Sequence, residues 1–369
     1  MKCSMKFAVN FGKNRVKTVR GVRKVMSRLG LAVSMFAVLW VAACGANEKT
    51  NASAPAASNA TSSSAAPGAM QAGQQVSASD AKPTDAVPAD KTGGFDGAKA
   101  YEYTAKQVEF GPRPPNSDAI HKTQDYIIAQ LKSDGCAVDT DDFHSQTPIG
   151  DVPMKNIIAK IPGETNGILL LMTHYDTLRK DNFVGANDAG SSTGVMMEMA
   201  RLLCGKQKKE PLGVWIAFLD GEEAFVQWSD TDSVYGSRQL AARMAMAGDL
   251  PHIKAVILAD IVGSKSVKFR KDGNSTPWLT TLVWSNAAKL GYGDIFLSDT
   301  QSYEDDHLPF VHRKVPSVDI LDLVDFQKGG YWHTDKDTMN NVSAKSLGIV
   351  GHVIVVTVDD LQKKPNMGK

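Results

Sequence analysis

The sequence predicts an α/β fold, a single domain built on a mixed, mostly parallel central sheet flanked by helices. Several short segments, among them residues 168–172 and 214–219, are apolar along their whole length. Such runs are typical of strands that are buried on both faces of a sheet. Segments with helical spacing of apolar residues separate several of these runs, which favours parallel connections. The domain would span residues 95–369, which is within the range of a single domain.

Each element is predicted from an apolar run or from a helix start or stop signal. Ser117 is predicted to cap the second helix, and the helical spacing of Met196, Met197 and Met199 predicts core positions. Helices are expected at residues 98–109, from Ser117 onward, at 193–203 and at 343–361, and strands at 157–161, 168–172, 214–219, 255–258 and 316–323.

The first 43 residues have the pattern of an export signal. They contain nine Lys and Arg and no Asp or Glu, then an apolar run over residues 29–40, then Val-Ala-Ala-Cys ending at Cys44. This order of charged, apolar and small residues is typical of a signal peptide. The tetrapeptide resembles a bacterial lipobox, so residues 1–43 are predicted to be a lipoprotein signal peptide. The alternative is an ordinary signal peptide followed by a coincidental Cys.

A lipid on Cys44 would attach the exported chain to the bacterial cell envelope, on the periplasmic side and at the outer membrane. Residues 44–94 are rich in Ala and Ser with almost no large apolar residue, which predicts a disordered tether. Cys136 and Cys204 lie in the domain itself. An oxidising compartment permits a bridge between them, but two separate buried thiols fit the sequence equally well.

The net charge of +1 conceals an acidic domain. Of the 41 Lys and Arg, nine lie in the predicted signal peptide, so 32 remain against 40 Asp and Glu, a net charge of about −8. Nucleic-acid binding needs a basic surface, so this class of partner is excluded.

Polar residues follow the predicted strands at their carboxyl ends, where α/β sheets bind ligands. No Cys or Cys/His spacing typical of a metal site is present, so a metal would take Asp, Glu and His ligands, as zinc does in catalytic sites. A solvated acidic loop is the alternative. The residues at these positions are His174, Asp176, Asp188, Asp220, Glu222, Glu223, Asp260, Asp305, Asp306, His307 and His333.

Several short motifs are spread along the predicted domain. They are Phe110-Gly111-Pro112-Arg113, His174-Tyr175-Asp176, the run from Asp220 to Phe225, Trp228-Ser229, Tyr235-Gly236-Ser237-Arg238, the run from Glu304 to Phe310, and Tyr331-Trp332-His333-Thr334. Together they resemble the glutaminyl-peptide cyclotransferases (glutaminyl cyclases), which belong to the zinc aminopeptidase-like family M28. The resemblance covers about residues 98–365, and the stretch from Trp228 to Arg238 is more specific to cyclases than the carboxylate pair before it.

The resemblance implies a role for each matching residue. Asp188, Glu223 and His333 match zinc ligands, and Glu222 matches the general acid–base. Asp260 and Asp305 match a hydrogen-bonded acid pair beside Glu222. Trp228 and Trp332 match aromatic walls of the substrate pocket. His174 and Asp176 match an HxD motif that either supports the site or, through His174, helps to bind a second metal.

The implied reaction converts the N-terminal Gln of a peptide or protein to pyroglutamate with release of ammonia. One zinc ion would polarise the side-chain amide carbonyl, while Glu222 moves a proton from the α-amine to the leaving ammonia. A di-zinc aminopeptidase of the same fold is the alternative, because His174 and Asp260 could bind a second zinc. A non-catalytic lipoprotein that kept the fold is a further alternative.

Overall fold

The computed structural model describes residues 83–206 and 209–365. The predicted signal peptide, the predicted lipid attachment site at Cys44 and most of the predicted tether lie outside the described residues, so they remain predictions. Within the described part of the chain, no helix is both long enough and apolar enough to cross a membrane.

The described residues form eight α-helices and eight β-strands. The helices are α1 (Gly97–Glu109), α2 (Asp118–Ser133), α3 (Gly190–Cys204), α4 (Tyr235–Ala247), α5 (Pro277–Lys289), α6 (Leu308–Val311), α7 (Leu323–Lys328) and α8 (Ala344–Lys363). The strands are β1 (Ala137–Thr147), β2 (Gly150–Ile161), β3 (Ile168–His174), β4 (Gly213–Leu219), β5 (Ile253–Asp260), β6 (Phe269–Asp272), β7 (Phe296–Gln301) and β8 (Ser317–Leu321).

Six strands form the central sheet in the order β1-β2-β4-β3-β5-β8. The pairs β3–β4, β3–β5 and β5–β8 are parallel, whereas β1–β2 and β2–β4 are antiparallel. The predicted mixed, mostly parallel sheet is therefore confirmed. Strands β6 and β7 form a separate parallel pair.

Helices pack on both faces of the sheet, which explains why its central strands are continuously apolar. Leu169 and Leu171 belong to a core cluster that includes residues of α1, α3, α5 and α8. Their neighbours Leu170 and Met172 belong to a second cluster, which includes residues of α4 and α6. Side chains alternate across a strand, so helices bury both faces and exclude water from the sheet. The three predicted core methionines of α3 are fully buried.

The antiparallel end of the sheet differs from the sequence-based expectation. Strand β1 was not predicted, and β2 begins seven residues before the expected start at residue 157. The outer parts of both strands alternate between buried and exposed positions, with polar residues facing solvent. No continuous apolar run therefore marks them in the sequence.

One further boundary was wrong, and several elements were not predicted. The strand expected at residues 316–323 ends at Leu321, and Leu323 begins α7 instead. Helices α4 to α7 and strands β6 and β7 were not predicted. The Ser117 cap is confirmed, because its side chain accepts the backbone N–H of Ile120 at 3.1 Å.

The folded part begins before the predicted boundary between residues 94 and 95. Residues Ala89–Lys91 form a 3-10 turn, and Thr92 after it is fully buried. The hydroxyl of Ser343, the residue that caps α8, donates a hydrogen bond to the Asp85 carboxylate. The last residues of the predicted tether therefore pack on the domain.

Cys136 and Cys204 form a disulfide bond, with 5.2 Å between their Cα atoms. The bond joins the residue before β1 to the last residue of α3. Of the two possibilities that the sequence left open, the structure shows the bridge.

Candidate active site

The carboxyl ends of three neighbouring parallel strands supply the centre of the site. His174 is the last residue of β3, the middle strand of the three, and Asp260 is the last residue of β5 on one side of it. Strand β4, on the other side of β3, leads into Glu222 and Glu223. His174 Nε2 lies 3.2 Å from Asp260 Oδ1, and both side chains are nearly buried. The polar residues predicted at strand ends therefore do converge at one edge of the sheet.

Asp188, Glu223 and His333, the predicted zinc ligands, come together at this edge. His333 Nε2 lies 3.2 Å from Glu223 Oε1 and 3.5 Å from Asp188 Oδ2. One ligand atom from each of the three lies within 4.8 Å of the others. Asp188 and Glu223 are 3% exposed, and the His333 side chain is 24% exposed.

This donor set fits a catalytic zinc ion. Two carboxylate oxygens and one imidazole nitrogen give three protein ligands and leave one position for water or substrate. Glu223 Oε1 is buried, and among the described residues it makes no hydrogen bond of good geometry, although His333 Nε2 lies 3.2 Å away. Such an atom is costly to bury unless a cation or donor satisfies it. Burial opposes the charge on His333, but the two carboxylates outweigh it and raise its pKa to about 10. The pocket thus favours positive charge, whether as a proton or as a metal ion.

A second possible cluster shares Asp188 with the first. His174, Asp188 and Asp260 also offer ligand atoms within 4.8 Å of one another. His174 Nε2 lies 3.4 Å from Asp188 Oδ1. The ligand geometry alone is therefore compatible with one zinc ion or with two. The sequence left the same two possibilities open.

Asp176, the second residue of the HxD motif, supports the site through backbone contacts. Its carboxylate accepts the backbone N–H groups of Glu222 and Glu223 at 3.1 and 3.3 Å. Asp176 is fully buried and belongs to neither possible metal cluster. Gly221, just before the two glutamates, has φ +72°, a conformation that favours glycine.

Two residues whose roles the sequence did not reveal hold the loop that carries Asp188. Asp337 accepts the backbone N–H groups of Asn187 and Asp188 at 2.8 and 3.1 Å. Arg113 is fully buried and donates to the carbonyl oxygens of Tyr175 and Gly185, both at 2.9 Å. Burial lowers the pKa of Arg113 to about 10, which still leaves it charged at neutral pH.

Glu222 lies beside the ligand cluster without belonging to it, and it is 7% exposed. Burial, together with the charges of Glu223, Asp305 and Asp306, raises the pKa of Glu222 well above its usual range, although His174 opposes the shift. A carboxyl group of this kind can hold a proton near neutral pH, as a general acid–base must.

Asp260 and Asp305 form the rest of the acidic group around Glu222. Burial is the first cause of both shifts and raises the pKa of Asp260 to about 6, although His174 lowers it. Burial and the charge of Asp260 raise the pKa of Asp305 to about 7. Closely spaced acids cannot all ionise together, so the group shares protons near neutral pH.

A cavity of about 540 Å³ opens onto these groups. Trp228 and Trp332 both line it, as predicted for pocket walls. Trp228 Nε1 donates to Glu304 Oε2 at 3.0 Å, and the Trp332 ring stacks on the neighbouring His333 with 4.0 Å between centroids. The lining also includes Asp188, Glu222, Glu223, Asp260, Asp305 and His333.

Residues 156–358 match the model of a family described as Peptidase family M28. The chain belongs to peptidase family M28. The matched region contains every predicted site residue of the domain. The resemblance noted in the sequence is thereby confirmed at the level of the family.

Several of the relatives are named as glutaminyl cyclases. The chain is 31% identical over 287 residues to the glutaminyl-peptide cyclotransferase of Gloydius blomhoffii, covering 68% of this chain and 77% of that protein. The crystal structure of an Acidobacteriales bacterium glutaminyl cyclase is 37% identical with a TM-score of 0.69, covering 73% of this chain and 96% of that one. Porphyromonas gingivalis glutaminyl cyclase is 34% identical with a TM-score of 0.68, covering 72% and 98%. The cyclase resemblance and the fold class are both confirmed.

Proposed function

We propose that the protein is a zinc-dependent glutaminyl-peptide cyclotransferase, which converts an N-terminal Gln to pyroglutamate and releases ammonia. The observation that carries the proposal is the position of Glu222, a buried carboxyl group beside the ligand cluster but outside it. The relatives named for this activity support the same reaction.

The metal site would consist of Asp188, Glu223 and His333. A zinc ion held there would supply Lewis-acid polarisation of the substrate's side-chain amide carbonyl. Each of the three proposed metal ligands is held in place by a neighbouring residue. Asp176 fixes the backbone at Glu223, Asp337 fixes the backbone at Asp188, and the Phe183 ring packs edge-on against His333 with 5.8 Å between centroids.

Cyclisation depends mainly on the conformation of the bound Gln, because the α-amine and the side-chain amide that react belong to the same residue. The α-amine nitrogen attacks the side-chain amide carbon, a new C–N bond forms, and the bond to the amide NH₂ breaks. Holding these groups in a near-attack geometry accounts for a large part of catalysis in such reactions. Trp228 and Trp332 would hold the Gln side chain between them and exclude water from the 540 Å³ cavity.

Glu222 would carry the proton in both halves of the reaction. Its carboxylate accepts a proton from the α-amine as the new bond forms and then delivers the proton to the departing ammonia. Asp305 and Asp260 share protons with this group, since burial raises the pKa values of both. They would thereby keep the carboxyl group of Glu222 in a state that can exchange a proton.

The di-zinc aminopeptidase alternative rests on the second possible cluster, His174, Asp188 and Asp260. The comparisons favour the cyclase. A single assay separates the two: a Gln-peptide and a matched Leu-peptide are incubated with the zinc-loaded protein, and products are identified by mass. The cyclase hypothesis predicts loss of one ammonia from the Gln-peptide and an unchanged Leu-peptide. An unchanged Gln-peptide beside a trimmed Leu-peptide would reverse the choice.

We also propose that the protein is exported and attached by lipid at Cys44 to the cell envelope. The disulfide between Cys136 and Cys204 supports an oxidising compartment, where such bonds persist. Metabolic labelling with a fatty acid tests the proposal: label is expected in the wild type and absent from Cys44→Ala. Equal labelling of both proteins would refute the lipid attachment.

A further inference from the structure

A second cavity, of about 590 Å³, adjoins the one that contains the ligand cluster. Trp228, Glu304 and Asp305 line both cavities. The hydrogen bond from Trp228 Nε1 to Glu304 Oε2 therefore lies in a shared wall. We call the second cavity the outer groove. The outer groove is therefore the neighbouring space for the later residues of a peptide whose first residue occupies the cavity with the ligand cluster.

Two arginines of the outer groove are held by neutral groups. Arg313 Nη1 donates to the backbone oxygen of Pro309 at 2.8 Å. Arg238 donates to the backbone oxygen of Asp230, and its guanidinium lies 4.7 Å from the centroid of the Tyr235 ring. Across residues 83–206 and 209–365, no carboxylate oxygen lies within 4.0 Å of a nitrogen of either guanidinium. Both positive charges therefore remain available to a ligand.

The geometry of a guanidinium makes a carboxylate its natural partner. Arg presents several N–H groups in a planar fork that matches the two oxygens of a carboxylate. Each arginine here uses one terminal nitrogen on a backbone carbonyl, which fixes the group and leaves other N–H donors free. His312 also lines the outer groove and is exposed.

Three acidic residues, Asp230, Glu304 and Asp305, also line the outer groove and contribute negative charge to it. None of them forms an ion pair with Arg238 or Arg313 in the described structure. Glu304 accepts the Trp228 indole N–H, which holds its carboxylate at the shared wall. The Asp230 side chain is exposed, and its contact with Arg238 is made by its backbone oxygen rather than its carboxylate. The Asp305 side chain is buried and belongs to the group around Glu222.

We propose that the outer groove binds the part of the substrate that follows the N-terminal Gln, and that Arg313, with Arg238, selects substrates carrying a carboxylate there. The inference rests on the proposed cyclotransferase activity and narrows its substrate class to Gln-peptides with a downstream acidic group. Arg313 is the better residue to substitute in a test of specificity, because it is exposed. Arg238 also packs on Tyr235 within the domain, so its removal would disturb packing as well as charge.

The test uses pentapeptide amides that begin with Gln and differ only in having Glu or the isosteric Gln at the third, fourth or fifth position. An exposed ion pair is worth up to about 1 kcal/mol, so kcat/KM should be about fivefold higher for Glu at the best position. This ratio should fall to near one in Arg313→Gln. Both peptides are measured on the same preparation, so the ratio does not depend on the folded fraction.

Lys314→Gln is the matched control, because it removes the same charge from the neighbouring residue, which does not line the groove. The control should keep the preference. No preference for Glu at any position, or equal loss in both variants, would overturn the proposal. A free C-terminal carboxylate is compared with the amide in a neutral peptide, and a preference confined to that terminus would overturn side-chain selection. Failure of the wild type to cyclise any of these peptides would instead contradict the proposed activity.

Discussion

The carboxylate of Asp176 accepts a hydrogen bond from the backbone N–H of Glu222, with 3.1 Å between Oδ1 and nitrogen. Its other oxygen accepts the next N–H along the chain, that of Glu223. Asp176 follows β3, whereas the two glutamates follow the adjacent strand β4. Asp176, just after β3, thereby orients Glu222 and Glu223, just after β4. Of these two glutamates, Glu223 belongs to the ligand cluster and Glu222 does not.

Asp176→Ala should therefore lower activity without removing any proposed ligand. Supporting residues of metal sites typically change activity or metal affinity by about 10–100-fold, and we expect a fall in kcat/KM of that order. Asp176→Asn, which keeps one acceptor oxygen, should lose less. Steady-state kinetics with measurement of bound zinc checks this, and full activity in Asp176→Ala would contradict the positioning role.

Glu222→Gln should abolish proton transfer while sparing the metal site. General acid–base catalysis contributes about 10²–10⁴-fold, so kcat should fall by at least about 100-fold with zinc content unchanged. Glu164→Gln is the control, because Glu164 is exposed and lies outside the cavity. Activity close to that of the control would show that Glu222 is not the acid–base group. A wild-type protein that cyclises no Gln-peptide would favour the non-catalytic alternative.

His333→Ala should release the metal, because it removes one of three proposed ligands. The variant is expected to contain less than about one tenth of the wild-type zinc after dialysis, in line with the loss of affinity when a metal site is disrupted. His121→Ala, at an exposed position on α2, should bind zinc like the wild type. Zinc content is measured by elemental analysis, and undiminished zinc in His333→Ala would refute the ligand assignment.

Wild-type zinc content also separates the two metal hypotheses. The cyclase hypothesis predicts one zinc ion per chain at Asp188, Glu223 and His333. Two tightly bound ions would show that His174 and Asp260 also act as ligands, as the aminopeptidase alternative requires.

Gly194→Ala should destabilise the domain where α1 packs on α3. A Cβ at this position would lie 2.4 Å from the backbone oxygen of Ala100 and 2.3 Å from Thr104 Oγ1. Overpacking of this kind typically costs about 1–3 kcal/mol of unfolding free energy. Gly205→Ala is the matched control, since the nearest described atom to its added Cβ would be the Arg201 oxygen at 3.5 Å, an ordinary contact distance. Denaturant unfolding compares the two, and equal stability would contradict the packing argument.

The elements and site residues that could be predicted are those marked by a pattern of neighbouring residues in the sequence. Strands β3 and β4 contain continuous apolar runs because both faces of the sheet are buried there, so these runs stand out in the sequence. Strand β1 has one face in solvent and alternates, and it was missed. Among the site residues, the carboxylates at strand ends stood out by position, whereas Asp337 and Arg113 act on backbone atoms far along the chain. Asp337 bonds to Asp188 across 149 residues, and no local pattern indicates such a contact.

The fate of the side-chain nitrogen distinguishes cyclisation from every alternative. A Gln-peptide isotopically labelled at the side-chain amide nitrogen is incubated with the zinc-loaded protein, and ammonia, free amine and peptide mass are followed together. We predict that labelled ammonia appears in step with the loss of the N-terminal amine, while every residue of the peptide is retained. Release of free labelled Gln, or ammonia with the amine still present, would contradict the proposed cyclotransferase.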